Sequence, residues 1–193
     1  TYRENEKLNF KERDFSQKIK FVFIGAMVVG KRPLLTVKII KALIEKGIAG
    51  ELHMLGDGDL IEDVRAYVND NDLDKHVHIH GNQNKAFVKN CLLDAHFTIL
   101  PSKSEGWPKA IAEGMFFGAI PISTKISCLP WILDYGKRGI LISSNLEEAQ
   151  ALIYTELKKG NDYLNGLSKN AQNWSQQYTV NRLEQEIENV VKG

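Results

Sequence analysis

The run His96-Phe-Thr-Ile-Leu-Pro-Ser-Lys-Ser-Glu-Gly-Trp-Pro-Lys-Ala-Ile-Ala-Glu113 changes character twice. His96 to Leu100 is apolar and strand-like, and Lys109 to Phe117 is apolar and helix-like. A tight polar turn joins them. A strand, a turn and a helix commonly build a phosphate site, because the helix start offers free backbone N–H groups and partial positive charge. Glu105 stands before that start and Glu113 inside it. Carboxylates do not bind phosphate, but they hold hydroxyls and oppose a developing cation. A ligand with both phosphates and sugar hydroxyls suits the arrangement.

The same alternation extends in both directions. Lys20–Ile24, Glu51–Leu55, His76–His80, Phe97–Leu100, Ala119–Ile122 and Gly139–Ile142 read as strands. Helical runs fall between them at Pro33–Lys46, Asp59–Asn69, Lys85–Cys91, Lys109–Phe117 and Leu129–Asp134. Three more close the chain, at Leu146–Lys158, Asp162–Asn173 and Val180–Val191. Alternating strands and helices predict an α/β domain, a parallel sheet covered on both faces. Six strands in this rhythm predict the Rossmann-like, doubly wound order 3-2-1-4-5-6. Ligands then bind outside the carboxyl ends of strands 1 and 4. The loop Gly25-Ala-Met-Val-Val-Gly-Lys-Arg32 should therefore face the loop Pro101–Trp107, bringing Lys31 and Arg32 opposite Glu105.

Bulk properties exclude several classes. The 193 residues suggest one domain, with 43% apolar and 25% charged residues. A net charge of +1 gives no sign of nucleic-acid binding. No apolar run is long enough to span a membrane. Thr1–Lys7 has no signal-peptide character, and without an initiator methionine the chain reads as cut from a longer protein. Cys91 and Cys128 read as buried reduced thiols. Residues 1–17, dense in both charges, read as an interdomain linker or a frayed lead-in.

Several local features have competing readings. Gly25 and Gly30 lack the G-x-G-x-x-G spacing of a dinucleotide site. Lys31 and Arg32 oppose a helix dipole, which favours a functional reason for them. Gly56-Asp-Gly-Asp59 reads as a turn, with Asp59 as N-cap and no metal role. His76, His78 and His80 alternate and would share one strand face. Zinc there is the less favoured reading, because the strand is expected inside a covered sheet and no carboxylate or cysteine pair accompanies it. Trp107 reads as a lid, a stacking surface or simple packing. Pro108 suits the first helical position. Glu113 lies among Ile111, Ala112, Met115 and Phe116, so it needs a partner, which a sugar hydroxyl could be.

These residues resemble a known family. Glu105-x7-Glu113 resembles the E-x7-E signature of retaining glycosyltransferases with the GT-B fold, most closely family 4, or group 1. Gly25-x5-Lys31, Leu55-Gly-Asp-Gly58, Val77-x-Ile-x-Gly81 and Gly118-x-Ile-Pro-Ile122 match further elements in order. The resemblance implies a donor-binding domain for a nucleotide-diphosphate sugar over residues 18–176. Residues 177–193 would then be a helix crossing back to an acceptor-binding N-terminal domain absent from this chain. It implies that Glu113 holds the ribose and that Glu105 contacts the donor sugar and stabilises charge near its anomeric centre. The Gly106 and Trp107 N–H groups would hold the diphosphate, with Gly25 in the first loop. Lys31 would neutralise the diphosphate and aid leaving-group departure, and Asn82 and Gln83 would border the base. Neither a metal nor another cofactor is expected. The isolated half would bind donor without turnover. Two departures stand out. Ala26 replaces an arginine, so either Arg32 supplies the second charge or donor binding weakens. Trp131, not glutamate, follows Pro130. The rival readings are a non-catalytic nucleotide-sugar-binding domain and half of a nucleotide-sugar epimerase. A polysaccharide pathway, with the enzyme cytoplasmic and peripheral at the inner face of the membrane, is the family-level expectation.

Overall fold

The computed structural model describes residues 2–192. Six strands form one parallel sheet: β1 (Ile19–Ile24), β2 (Gly50–Leu55), β3 (Val77–Gly81), β4 (Phe97–Leu100), β5 (Ile120–Thr124) and β6 (Ile140–Ile142). Their order is β3-β2-β1-β4-β5-β6, as the alternation predicts. The helices are α1 (Pro33–Glu45), α2 (Ile61–Asp70), α3 (Lys85–Asp94), α4 (Lys109–Phe116), α5 (Leu129–Ile132), α6 (Leu146–Leu157), α7 (Asn161–Ser175) and α8 (Val180–Lys192). None of the described helices is long and apolar enough to cross a membrane.

β1 shows why the sheet is buried on both faces. Phe21 and Phe23 point into a large core with Val37, Ile40 and Leu43 of α1 and Val64 and Val68 of α2. Val22, from the alternate face, joins a smaller core with Leu92 of α3 and Phe116 and Phe117 at the end of α4. Both phenylalanines of the first set are wholly buried, and each such side chain contributes about 1.5–3 kcal/mol of burial.

The expectation of a frayed start is corrected for the described residues. Tyr2 stacks on Phe116 and meets Phe117 edge-on, with ring centroids 5.2 and 4.5 Å away. Phe15 is buried in the large core. The Arg13 guanidinium donates to the Phe117 carbonyl at 2.6 Å, and Asn165 accepts from the Arg13 N–H and donates to its carbonyl. Apolar rings spaced among the charges anchor this strap, while most of its charges stay in water. Thr1 and Gly193 lie outside the described residues.

Other local expectations also change. β3 stands at the sheet edge that the predicted order gives it, so it is not covered on all sides, and His78 and His80 are only half-buried. The α2 N-cap is Leu60 rather than Asp59, with no side-chain cap, and Pro108 is the α4 N-cap rather than its first residue. Cys91 and Cys128 are free thiols, but each is half-buried; burial pushes the Cys91 thiol up.

Candidate functional site

The sheet order reverses between β1 and β4, and the two loops beyond those strands meet there. The Lys103 N–H donates to the Gly30 carbonyl at 2.8 Å, joining one loop to the other. Lys31 Nζ donates to Glu105 Oε1 at 2.6 Å. Ser102 Oγ donates to the same oxygen at 2.5 Å. The Glu105 side chain is only 5% exposed and that of Lys31 is 29% exposed, so the pair is fixed on the carboxylate side and open to solvent on the ammonium side. The β4 loop is held from behind: Ser123 Oγ donates to the Leu100 carbonyl and Thr124 Oγ1 to the Ser102 carbonyl, both at 2.6 Å. Glu105 N–H reaches Ser127 Oγ, and Cys128 Sγ donates to the Gly106 carbonyl.

Arg32 caps α1 in a left-handed conformation, with φ 53°. A non-glycine residue there costs on the order of 1–2 kcal/mol. Its guanidinium is held beside the β4 loop, at 2.8 Å from Ser144 Oγ and 3.4 Å from the Pro101 carbonyl.

The β2 loop is pressed against the β1 loop. A Cβ on Gly56 would sit 2.0 Å from the Gly25 carbonyl oxygen, at φ +135°, and one on Gly58 would sit 2.8 Å from the Met27 carbonyl oxygen. Only glycine allows this approach. Backbone bonds knit the loops together, Met27 N–H to Asp57 O at 2.9 Å and Gly56 N–H to Gly81 O at 2.8 Å. Gly25 itself has ordinary space, with Leu100 at 3.7 Å from a built Cβ. Asn82 and Gln83 follow β3 at the same end and are exposed. The Gln83 amide folds back to donate to the His80 carbonyl at 2.7 Å.

Glu113 lies elsewhere. It lines a small cleft with Tyr2, Trp107, Phe116, Trp174 and Tyr178, between the N-terminal strap, α4 and α7. Its side chain is 15% exposed, and Lys109 Nζ stands 3.7 Å away. Burial pushes the Tyr2 phenol up, and the charges of Glu113 and Glu6 add to the effect. Gly106 and Trp107 are exposed at the α4 start, Trp107 by 53%. The structure thus joins Lys31 to Glu105, sets Arg32 on the rim of the same loop, and turns Glu113 and Trp107 to a neighbouring cleft.

One cluster was missed in sequence. Of the three alternating histidines, His78 and His80 lie on β3, while His76 precedes it and bonds the Gly50 carbonyl. His53 of β2 lies between the other two, and Glu51 accompanies it, so the expectation that no carboxylate is near is corrected. The signal was the Glu51-x-His53 alternation on the adjacent strand.

With this geometry in view, residues 4–174 match the family model described as glycosyl transferases group 1. The chain is 27% identical over 164 residues to the amylovoran biosynthesis glycosyltransferase AmsK of Erwinia amylovora, covering 81% of this chain and 40% of that protein. An uncharacterized glycosyltransferase of Methanocaldococcus jannaschii is 25% identical over 175 residues, covering 91% and 47%. The chain thus spans less than half the length of either. Among solved structures, the pneumococcal O-GlcNAc transferase GtfA, in complex with UDP and GlcNAc, superposes with TM-score 0.80 at 15% identity, over 93% of this chain and 37% of that one. Anabaena HepE with UDP and glucose gives 0.78 at 16%, over 92% and 49%.

Proposed function

Because the chain belongs to the group 1 glycosyl transferases, we propose that it is the donor-binding half of a retaining enzyme that transfers a sugar from a nucleoside diphosphate to an acceptor. The observation that carries this reading is the Lys31–Glu105 pair, where a buried carboxylate meets a solvent-open ammonium at the strand-order reversal. A departing diphosphate needs positive charge held in place beforehand. Lys31 is tethered at 2.6 Å and can turn from Glu105 toward an entering phosphate. The α4 start adds the Gly106 and Trp107 N–H groups and the helix dipole. Glu105, once beside the donor sugar, opposes positive charge developing at the anomeric carbon. Glu113 accepts from ribose hydroxyls in the neighbouring cleft, and Asn82 and Gln83 border the base. Arg32 supplies the second cation near the β4 loop, where Ala26 supplies none.

The acceptor site belongs to a further domain of the complete protein, and this half binds donor without turning it over. Two of the relatives bear names in amylovoran and colanic acid biosynthesis, which supports a sugar polymer as the final product. Calorimetry against UDP, GDP and ADP and their sugar conjugates tests the reading. At least one nucleotide should bind at millimolar concentration or below; no heat with any of them would overturn it.

A further inference from the structure

We propose that Glu51, His53 and His78 form a binding site for a zinc-like divalent transition metal on the β2–β3 edge of the sheet. The site is independent of the donor reading and uses none of its residues. Glu51 and His53 are two positions apart on β2, so their side chains leave the same face. His78 is the register partner of His53 across the ladder. One ligand atom from each lies within 4.8 Å of the other two. A tetrahedral ion with bonds near 2.1 Å asks for ligand atoms about 3.4 Å apart. His53 Nε2 and Glu51 Oε1 already stand 3.6 Å apart. The two edges to the half-buried His78 are each within 4.8 Å, and a small rotation of its ring would shorten them.

The surroundings support metal ligation. His53 Nδ1 lies 2.9 Å from His80 Nε2, so His80 can accept its proton, fix the tautomer and leave Nε2 for the ion. Two imidazoles and a carboxylate favour zinc-like ions over magnesium or calcium. Three protein ligands leave a fourth position for water. A cavity of about 190 Å³ beside His53, lined also by Cys91 and Asp94, has room for it.

Two cations approach the same carboxylate, and neither blocks it. Lys18 bonds Oε2, the oxygen the ion does not use. Lys20 is 4.0 Å from Oε1 but is already held by Asp94 at 3.0 Å. A bound ion would tie the edge strand β3 to β2, immediately before the loop carrying Asn82 and Gln83.

The test uses the untagged chain stripped with chelator and titrated with zinc chloride. One ion per chain should bind, and the melting temperature should rise by roughly 5 °C or more at zinc hundredfold above Kd. Cobalt(II) in the same site should give visible bands of a four- or five-coordinate ion. Glu51→Gln, His53→Gln and His78→Asn should abolish stoichiometric binding, and His80→Gln should weaken it about 10–100-fold. His76→Asn should leave binding intact, since His76 faces the Gly50 carbonyl. Absence of stoichiometric binding, or binding unchanged in folded Glu51→Gln and His78→Asn chains, would overturn the site.

Discussion

At the scale of single residues, the two glutamates that drew attention in sequence prove unlike in surroundings. Glu105 is buried against an ammonium and a hydroxyl, and Glu113 lines an aromatic cleft. Under the proposed roles, Glu113→Ala should weaken nucleotide binding about 10–100-fold, the worth of hydrogen bonds to a charged group. Glu105→Ala should weaken nucleotide binding far less, because its partner is the sugar. Equal losses of UDP or GDP affinity by calorimetry would remove this division of labour. A second expectation concerns acid. His53, His80 and His96 are all held below the usual value of 6.5, chiefly by burial. The unfolded chain therefore takes up protons first, and the stability they contribute is complete above pH 6.5 and is lost as pH falls toward their folded values. Melting temperature in the presence of chelator should drop between pH 7 and pH 5, and His96→Gln should flatten that slope. An identical slope in the variant would argue against the histidine origin. The residue types at the Lys31–Glu105 pair were legible because motif spacing and strand order together dictate who faces whom. The Glu51–His53–His78 group was not, because cross-strand register cannot be read from one strand at a time.

At the scale of elements, α4 rests directly on β4. A Cβ on Gly114 would fall 2.3 Å from Thr98 Cγ2. Alanine in a helix interior gains about 1 kcal/mol over glycine, whereas forcing a methyl into a packed contact costs about 1–3 kcal/mol. The clash is with a buried β-branched side chain that cannot swing away, so the cost should win. Gly114→Ala should lower stability by about 1–2 kcal/mol in urea unfolding. Adding Thr98→Ala should recover most of it, because Thr98 Oγ1 is buried with no hydrogen-bond partner to lose. If the double variant were no better than the single one, this contact would not be what holds α4 at its depth. Strand and helix positions were legible to within a few residues because period and glycine–proline punctuation agree along the chain. The caps were not. Arg32 and Leu60 cap their helices through backbone geometry set by neighbouring loops, and no side-chain preference announces that.

At the scale of the molecule, the sheet and its two cores are complete without α8. That helix buries no residue, yet it carries Leu183, Ile187, Val190 and Val191 exposed on an otherwise polar surface. Its ties to the rest are few, among them Arg3 to Glu184 and the Glu4 N–H to Asn181. A chain ending at Thr179 should therefore melt within about 3 °C of the longer one, as expected when less than 1 kcal/mol is removed. A loss several times larger would mean that α8 helps hold the domain together. The place of the charged strap was not legible in the sequence, because its anchors, Tyr2 and Phe15, are single rings without periodicity. That strap ends in a seam: the Val180 N–H donates to the Tyr2 carbonyl at 3.1 Å, so the chain leaves the domain where it enters. Topologically, the domain is a closed loop with a small gap. With α8 removed, a short glycine-rich bridge across the gap and a new opening at an exposed turn, such as Lys159–Gly160, would give a circular permutant that keeps every strand pairing. The same seam would let the whole unit be spliced as a cassette into a surface loop of an unrelated protein.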